Sequence, residues 1–173
     1  MATSSSSALT YDAMSDFLYS VEREFDLPLD ILWDAWTSPE DLQEWYHPVG
    51  LACVPGSVLS EPVEGGAWAV AVDVPDYELV AHFFGTYTVI VPQARIEHTL
   101  HYTESAEEFA QRDLSTPHHL VRIEFESRGM LSWVKFSQFG DMPESEAVAA
   151  QEGMGSYFDS LEDFLSVDGD TAG

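Results

Sequence analysis

The chain has 173 residues, enough for one domain with a buried core, and its 45% apolar and 13% aromatic content excludes a disordered protein. The 31 acidic residues against 6 basic ones give a formal net charge of −25, which argues against nucleic acid or anionic membrane as a partner. No apolar run approaches the ~18 residues of a membrane span, no signal peptide is recognisable and Cys53 is alone, so we expect a cytoplasmic protein without disulfides.

The acidic residues are spread along the whole chain, and two explanations of this charge remain open. One is a solvated acidic surface suited to high salt, where self-repulsion is screened. The other is an acidic face that meets a basic partner or a cationic ligand. A melting series against salt distinguishes them, because only the first requires stability to change between low and molar salt.

A single domain is predicted over residues 17–167, between a flexible Ser-rich N-terminus (1–16) and a flexible acidic tail (168–173). Apolar and polar residues alternate from Tyr19 to Phe25, which predicts a half-buried strand with Arg23 on its apolar face. Two helix-start signals follow, at Asp26–Pro28 and Thr37–Asp41. They predict two short helices whose inward residues are Leu29, Leu32, Trp33, Trp36, Leu42 and Trp45.

Strand patterns then occupy most of the chain as far as residue 139, and short turns between them predict an antiparallel meander. The predicted strands are Ser57–Glu61, Ala67–Val74, Glu78–Val91, Arg95–Thr103, Leu120–Glu126 and Met130–Phe139. Residues 104–117 are polar and acidic, and we expect a long loop or a short helix around Phe109 there.

The stretch from Pro143 to Ser166 predicts one long amphipathic helix, because its apolar residues recur at three- and four-residue intervals and acids fill the other face. A one-sided helix and a large sheet each have an apolar face to cover, so they are expected to cover each other. Gly153 and Gly155 interrupt this helix. They indicate local weakness, close backbone approach to the sheet, or room for something between helix and sheet.

The phrase FDLPLDILWDAWTSPEDLQEWYHP resembles the START-like (SRPBCC) superfamily, and more narrowly the branch named after the activator of the heat-shock-protein-90 ATPase. Two shorter stretches support the resemblance, Gly65-Gly66-Ala67-Trp68 and Gln151-Glu152-Gly153 with Leu161. The resemblance covers residues 19–166. It implies a helix-grip fold of the α+β class, in which a curved antiparallel sheet of six to seven strands wraps the long C-terminal helix around a cavity. Tyr46-His47, Met154 and His98 depart from the family pattern, and all three lie where the cavity border is expected.

Three histidines are candidates for ligand contacts. His98 shares a strand face with Ile96, Leu100 and Tyr102, so it is placed on the apolar side, either as a hydrogen-bonded core residue or as a group that orients a ligand. His82 is placed inward in the same way, and His47 follows the second helix at the expected cavity mouth. His118 and His119 are adjacent on a strand and therefore point to opposite sides, so they cannot chelate one metal.

Aromatic side chains are the other candidates, either as core or as pocket walls. The full set of predicted ligand-binding residues is His98, Trp68, Tyr102, His82, Trp45, Tyr46, His47, Met154, Tyr157 and Phe158. No residue is assigned a catalytic role, and no cofactor or metal is predicted, because no metal-ligand spacing, phosphate loop or nucleophile elbow occurs.

The leading hypothesis is binding of a small, largely hydrophobic molecule between sheet and helix, with homodimer formation left open. One alternative is a cyclase-, aromatase- or hydrolase-like enzyme that uses pocket histidines or Tyr102 as acid or base. The other, implied by the resemblance, is a co-chaperone that stimulates a chaperone ATPase.

Overall fold

The structure is a computed structural model that describes the backbone of residues 16–172 and the side chains of residues 16–166. The predicted flexible N-terminus therefore lies almost wholly outside the described residues. The elements in chain order are β1 (Phe17–Phe25), α1 (Leu29–Thr37), α2 (Pro39–Trp45), β2 (Ala52–Cys53), β3 (Leu59–Ser60), β4 (Ala67–Val74), β5 (Leu79–Val91), β6 (Arg95–Thr103), α3 (Ala106–Gln111), β7 (His119–Arg128), β8 (Leu131–Phe139) and α4 (Glu144–Ala172).

All strands pair antiparallel in one curved sheet with the order β1-β8-β7-β6-β5-β4-β2, and β3 pairs separately with β4. From β4 to β8, neighbours along the chain are neighbours in the sheet, whereas β2 and β3 each pair with β4 and β1 crosses over to pair with β8. The predicted meander and the α+β class are confirmed. β2 and β3 are two residues each, so an alternating pattern has little length in which to mark them.

The helices α1 and α2 fill one end of the concave face of the sheet. Ser38 ends α1 and caps α2, because its Oγ accepts a hydrogen bond from the Asp41 N–H at 3.4 Å. Leu42 and Trp45 are both 0% exposed, and the Trp45 indole N–H donates to the Ala35 carbonyl at 2.7 Å. This bond satisfies the one polar atom of a large side chain inside the core.

Helix α4 begins after Pro143, whose carbonyl accepts hydrogen bonds from the Glu146 and Ala147 N–H groups, each at 3.0 Å. It packs mainly against β1 and α2 and continues beyond the predicted end at Ser166. No described residue forms a helix long and apolar enough to cross a membrane. The buried stripe of α4 comprises Ala147, Met154, Phe158, Ser160, Leu161 and Leu165.

The two glycines of α4 lie in open space. A Cβ atom built on Gly153 or on Gly155 would meet no other atom within 4 Å, apart from the helix itself. Close backbone approach to the sheet, one of the predicted explanations, is therefore wrong at both positions. The alternative of room between helix and sheet agrees with the structure at Gly153.

The outer face of the sheet is also partly covered. Helix α3 places Phe109 over β5, with its ring centroid 4.7 Å from that of His82 and 6.3 Å from that of Phe84. His101 stacks on Phe84 at 4.8 Å and is 2% exposed. The predicted inward orientation of His82 is therefore wrong, and both histidines are buried on the outer face because α3 makes this patch apolar as well.

Arg23 joins the first strand to the last helix. Its guanidinium lies 3.0 Å from Asp159 and 3.2 Å from Glu162, and 5.7 Å from the centre of the Phe158 ring. This base on a predicted apolar face therefore has its carboxylate partners at the edge of the helix rather than inside the core.

Candidate ligand-binding cavity

A cavity of about 770 Å³ lies between the concave face of the sheet and the first half of α4. Its walls come from β1, β5, β6, β8, the loop after α2, residues 117–119, residues 141–143 and α4. The wall residues are Tyr19, Tyr46, Phe83, Leu100, Tyr102, Pro117, His118, His119, Phe136, Gln138, Asp141, Met142, Pro143, Glu146, Ala150, Gly153, Met154 and Tyr157. Most of these are apolar or aromatic, and the volume lies within the ~300–1,000 Å³ typical of small-molecule sites.

A directed chain of hydrogen bonds runs along one wall. The Tyr19 hydroxyl donates to Gln138 Oε1 at 2.6 Å, and the Gln138 amide N–H donates to His119 Nδ1 at 2.7 Å. His119 Nε2 then donates to the Asp141 carbonyl at 3.2 Å. With this assignment His119 is the neutral Nε2–H tautomer, and every group of the chain has a single consistent direction.

The position of His119 depends on Gly140. A Cβ at residue 140 would lie 2.3 Å from His119 Cδ2, so only glycine allows the imidazole to rest against this backbone. Gly140 also donates its N–H to the Asp16 carbonyl at 2.9 Å, which ties the turn to the start of β1. The turn between β8 and α4 thus holds His119 against the cavity wall.

Tyr46 and Tyr157 meet at the inner wall, with ring centroids 5.1 Å apart in an edge-to-face contact. No group among residues 16–166 hydrogen-bonds either hydroxyl, although both side chains are largely buried. Burial and the neighbouring phenols raise the pKa of Tyr46 and of Tyr157 well above the ordinary value, so both are neutral donors at pH 7.

The charged groups of the lining are acidic. Asp141 and Glu146 stand at its mouth, and no lysine or arginine is among the lining residues of the described chain. Four arginines are instead ion-paired with carboxylates elsewhere: Arg23, Arg95, Arg122 and Arg128. Lys135 lies on the opposite face of β8 from the wall residue Phe136, since adjacent strand residues point to opposite faces.

Four of the ten predicted site residues line the cavity together: Tyr46, Tyr102, Met154 and Tyr157. Tyr102 stands at the mouth, 52% exposed, and its hydroxyl donates to Glu104 at 2.9 Å. Burial and Glu104 raise the pKa of this phenol to about 12. Contact of these four residues with a ligand stays a prediction.

His98 and Trp68 are on the concave face, as predicted, but deeper than the cavity wall. Their rings stack at 4.4 Å, and His98 Nδ1 lies 2.7 Å from the Thr99 carbonyl, to which it donates. Burial lowers the pKa of His98 to about 4, so the imidazole is neutral at pH 7. In this arrangement His98 fills the core as a hydrogen-bonded residue, the first of its two predicted roles.

The remaining four predicted residues also lie outside the cavity lining. Trp45 and Phe158 are both 0% exposed, each in ring contact with Trp36. His47 Nδ1 lies 2.8 Å from the Pro48 carbonyl and Nε2 lies 3.0 Å from the Glu44 carbonyl. His82 is on the outer face, where its Nδ1 lies 3.1 Å from the Thr103 carbonyl.

Several wall residues were absent from the predicted set, above all Tyr19, Gln138 and His119. Tyr19 was on the predicted apolar face of β1, which is a signal for the cavity wall. Gln138 and His119 become neighbours only through the pairing of β7 with β8, in which Val121 lies opposite Gln138. In the described part of the chain, no three His, Cys, Asp or Glu side chains are grouped to hold a metal ion.

A curved antiparallel sheet closed by a long C-terminal helix, with a cavity between them, defines a helix-grip protein of the START/SRPBCC class. Residues 26–166 match the family model described as activator of Hsp90 ATPase homolog 1-like protein. The chain belongs to this family. The predicted resemblance is therefore confirmed, and the fold is one that commonly binds hydrophobic ligands.

Solved structures support the same fold at low sequence identity. An AHSA1 protein from Silicibacter pomeroyi has a TM-score of 0.73 at 17% identity, covering 87% of this chain and 98% of that protein. A Staphylococcus epidermidis protein has a TM-score of 0.70 at 20% identity over 86% and 89% of the two chains. A Rhodobacter sphaeroides protein has a TM-score of 0.67 at 21% identity over 86% and 91%. Curated protein sequences include no significant match.

Proposed function

We propose that the protein binds a small, largely hydrophobic molecule in the cavity between the sheet and α4. The observation that carries this proposal is the cavity itself, about 770 Å³ with walls made mainly of aromatic and aliphatic side chains. Gly153 supports it, because the absence of a side chain at this wall position of α4 leaves space in the cavity.

The hydrocarbon dye diphenylhexatriene provides a direct test, since it has no polar group and fluoresces in apolar surroundings. The dye should bind at one site per chain. The variant Gly153→Leu, which projects a side chain into the cavity, should weaken dye binding by about tenfold or more because the bound volume is occupied.

Gly155→Leu is the matched control. Gly155 also lies in open space but does not line the cavity, so this variant should bind the dye as the wild type does. Thermal melting of both variants establishes that each is folded. Equal dye binding by the wild type and Gly153→Leu, or no binding by the wild type, would contradict the proposal.

The two alternative functions have less support. The enzyme alternative needs His98, His82 or Tyr102 as acid or base, but both histidines bond backbone carbonyls and neither lines the cavity. The chaperone-activating role rests on the description of the family model alone.

A further inference from the structure

We infer that the ligand of this cavity is an uncharged molecule with an apolar body and a hydrogen-bond-accepting oxygen, such as a ketone, and not a fatty acid anion. This inference rests on the proposed function and names the ligand class. It is carried by the two unpartnered phenols at the inner wall and by the charges around the cavity.

The inner wall requires an acceptor. Tyr46 is 5% exposed and its hydroxyl has no hydrogen-bond partner among residues 16–166, and the same holds for the hydroxyl of Tyr157. Both hydroxyls are open to the cavity, so an apolar ligand that displaces water from them costs free energy unless it provides an acceptor oxygen there. Because their pKa values are raised, both phenols stay neutral and offer O–H donors to that oxygen.

The neighbouring polar group is already committed. The Tyr19 hydroxyl donates its proton to Gln138, and the chain continues through His119 to the Asp141 carbonyl. Tyr19 therefore has only lone pairs left for a ligand. The donors that remain free on this wall are the hydroxyls of Tyr46 and Tyr157. The ligand group that matches them is therefore a hydrogen-bond acceptor rather than a donor.

An anion does not fit the charges. A carboxylate taken into an apolar cavity needs a cationic partner, and the lining of the described chain has no lysine or arginine to serve as one. Asp141 and Glu146 at the mouth, in a chain of net charge −25, repel an approaching anion further. Asp141 and Glu146 attract a cation to the mouth of the cavity. They lie away from the inner phenols, so they provide no partner for a cation at the inner wall.

The test is displacement of diphenylhexatriene at neutral pH by three competitors of equal carbon number, a straight-chain methyl ketone, the fatty acid and the primary amine. The ketone should displace the dye at a concentration about tenfold lower than the carboxylate needs. Equal or stronger competition by the carboxylate or the amine would overturn the inference while dye binding leaves the proposed function intact. Failure of the dye itself to bind would instead contradict the proposed function.

The double variant Tyr46→Phe and Tyr157→Phe tests the role of the phenols. Ketone competition should weaken about tenfold, because up to two hydrogen bonds are lost, while affinity for the hydrocarbon dye changes less than about twofold. Tyr87→Phe is the control, since the Tyr87 hydroxyl is bonded to Ser60 Oγ at 2.7 Å and lies outside the cavity lining. Unchanged ketone competition in the double variant would overturn the assignment of these donors.

Discussion

The space between the sheet and α4 has two ends that the same elements enclose differently. At the closed end, α1 and α2 insert Trp36 and Trp45 between the sheet and Phe158, and none of these three residues lines the cavity described above. At the open end, α4 presents Ala150 and Gly153 to the sheet, and a cavity remains. The comparison teaches that α4 and the sheet enclose the space between them. The two short helices α1 and α2 and a few small residues of α4 determine which part of that space is filled by side chains.

The largest test of this difference is Trp45→Ala. Removing a fully buried indole should lower the free energy of unfolding by about 3–5 kcal/mol, because a cavity forms in the closed end. Tyr102→Ala at the mouth of the open end should cost only about 1 kcal/mol or less. Urea denaturation of both variants measures the two values, and equal costs would show that the ends do not differ in packing.

The second test uses His98 as a titrating probe of the closed end. Its pKa is lowered from 6.5 to about 4 by burial, so the unfolded chain binds the proton first as the pH falls. The contribution of His98 is therefore fully present above about pH 6.5, and about 3 kcal/mol is lost as the pH falls to about 4.

The variant His98→Gln retains an N–H donor for the Thr99 carbonyl and removes the titration. Its stability should fall less steeply than that of the wild type between about pH 6.5 and pH 4, since all other titrating groups are shared. Urea midpoints across this range provide the measurement. Parallel curves for the two proteins would show that the imidazole is not shielded from water.

A third test concerns the helix at the open end. Gly153→Ala should raise the free energy of unfolding by about 0.5–1 kcal/mol, because alanine is the better helix former and its Cβ meets no atom within 4 Å. Gly155→Ala should give the same gain and serves as a reference. A loss of stability at residue 153 alone would indicate that α4 approaches the sheet more closely there.

The smallest effect is expected where β1 and α4 meet outside the cavity. Arg23→Met retains the apolar contact with Phe158 but removes the ion pairs with Asp159 and Glu162, whose side chains are both 58% exposed. The cost should be about 0.5–1 kcal/mol at low salt and should vanish at molar salt. Arg23→Lys retains the charge and should lose less; a cost that persists in high salt would indicate packing instead.

Alternation along the chain predicted the fold well where one face of a strand is buried and the other is solvated. The bounds of β4 and β6 agree with the predicted Ala67–Val74 and Arg95–Thr103. The prediction of faces was wrong at His82, because α3 buries the outer surface of β5 and makes an apolar environment there. The sequence of a strand that is covered on both sides does not alternate between apolar and polar residues. Only the tertiary structure shows which strands a short helix packs against.

The cavity was predictable in kind but only partly in its residues. Tyr46, Met154 and Tyr157 follow from the resemblance and from the helix pattern, since both place them at the concave face. His98 follows the same logic and yet lies at the closed end, because Trp68 from β4 stacks over it. Gln138 and His119 depend on strand register and on the contact with Gly140, neither of which a local pattern records.

Gly140 does not line the cavity, yet it controls which hydrogen bonds the side chains of the cavity wall can make. Any bulkier residue at position 140 would displace the imidazole of His119. Gln138 would then lose its hydrogen-bond acceptor, and its amide would be free to rotate toward the cavity. Tyr19 would in turn regain a proton to offer. If the proposed function holds, a substitution at this turn would alter ligand preference while every residue of the cavity lining is left as it is.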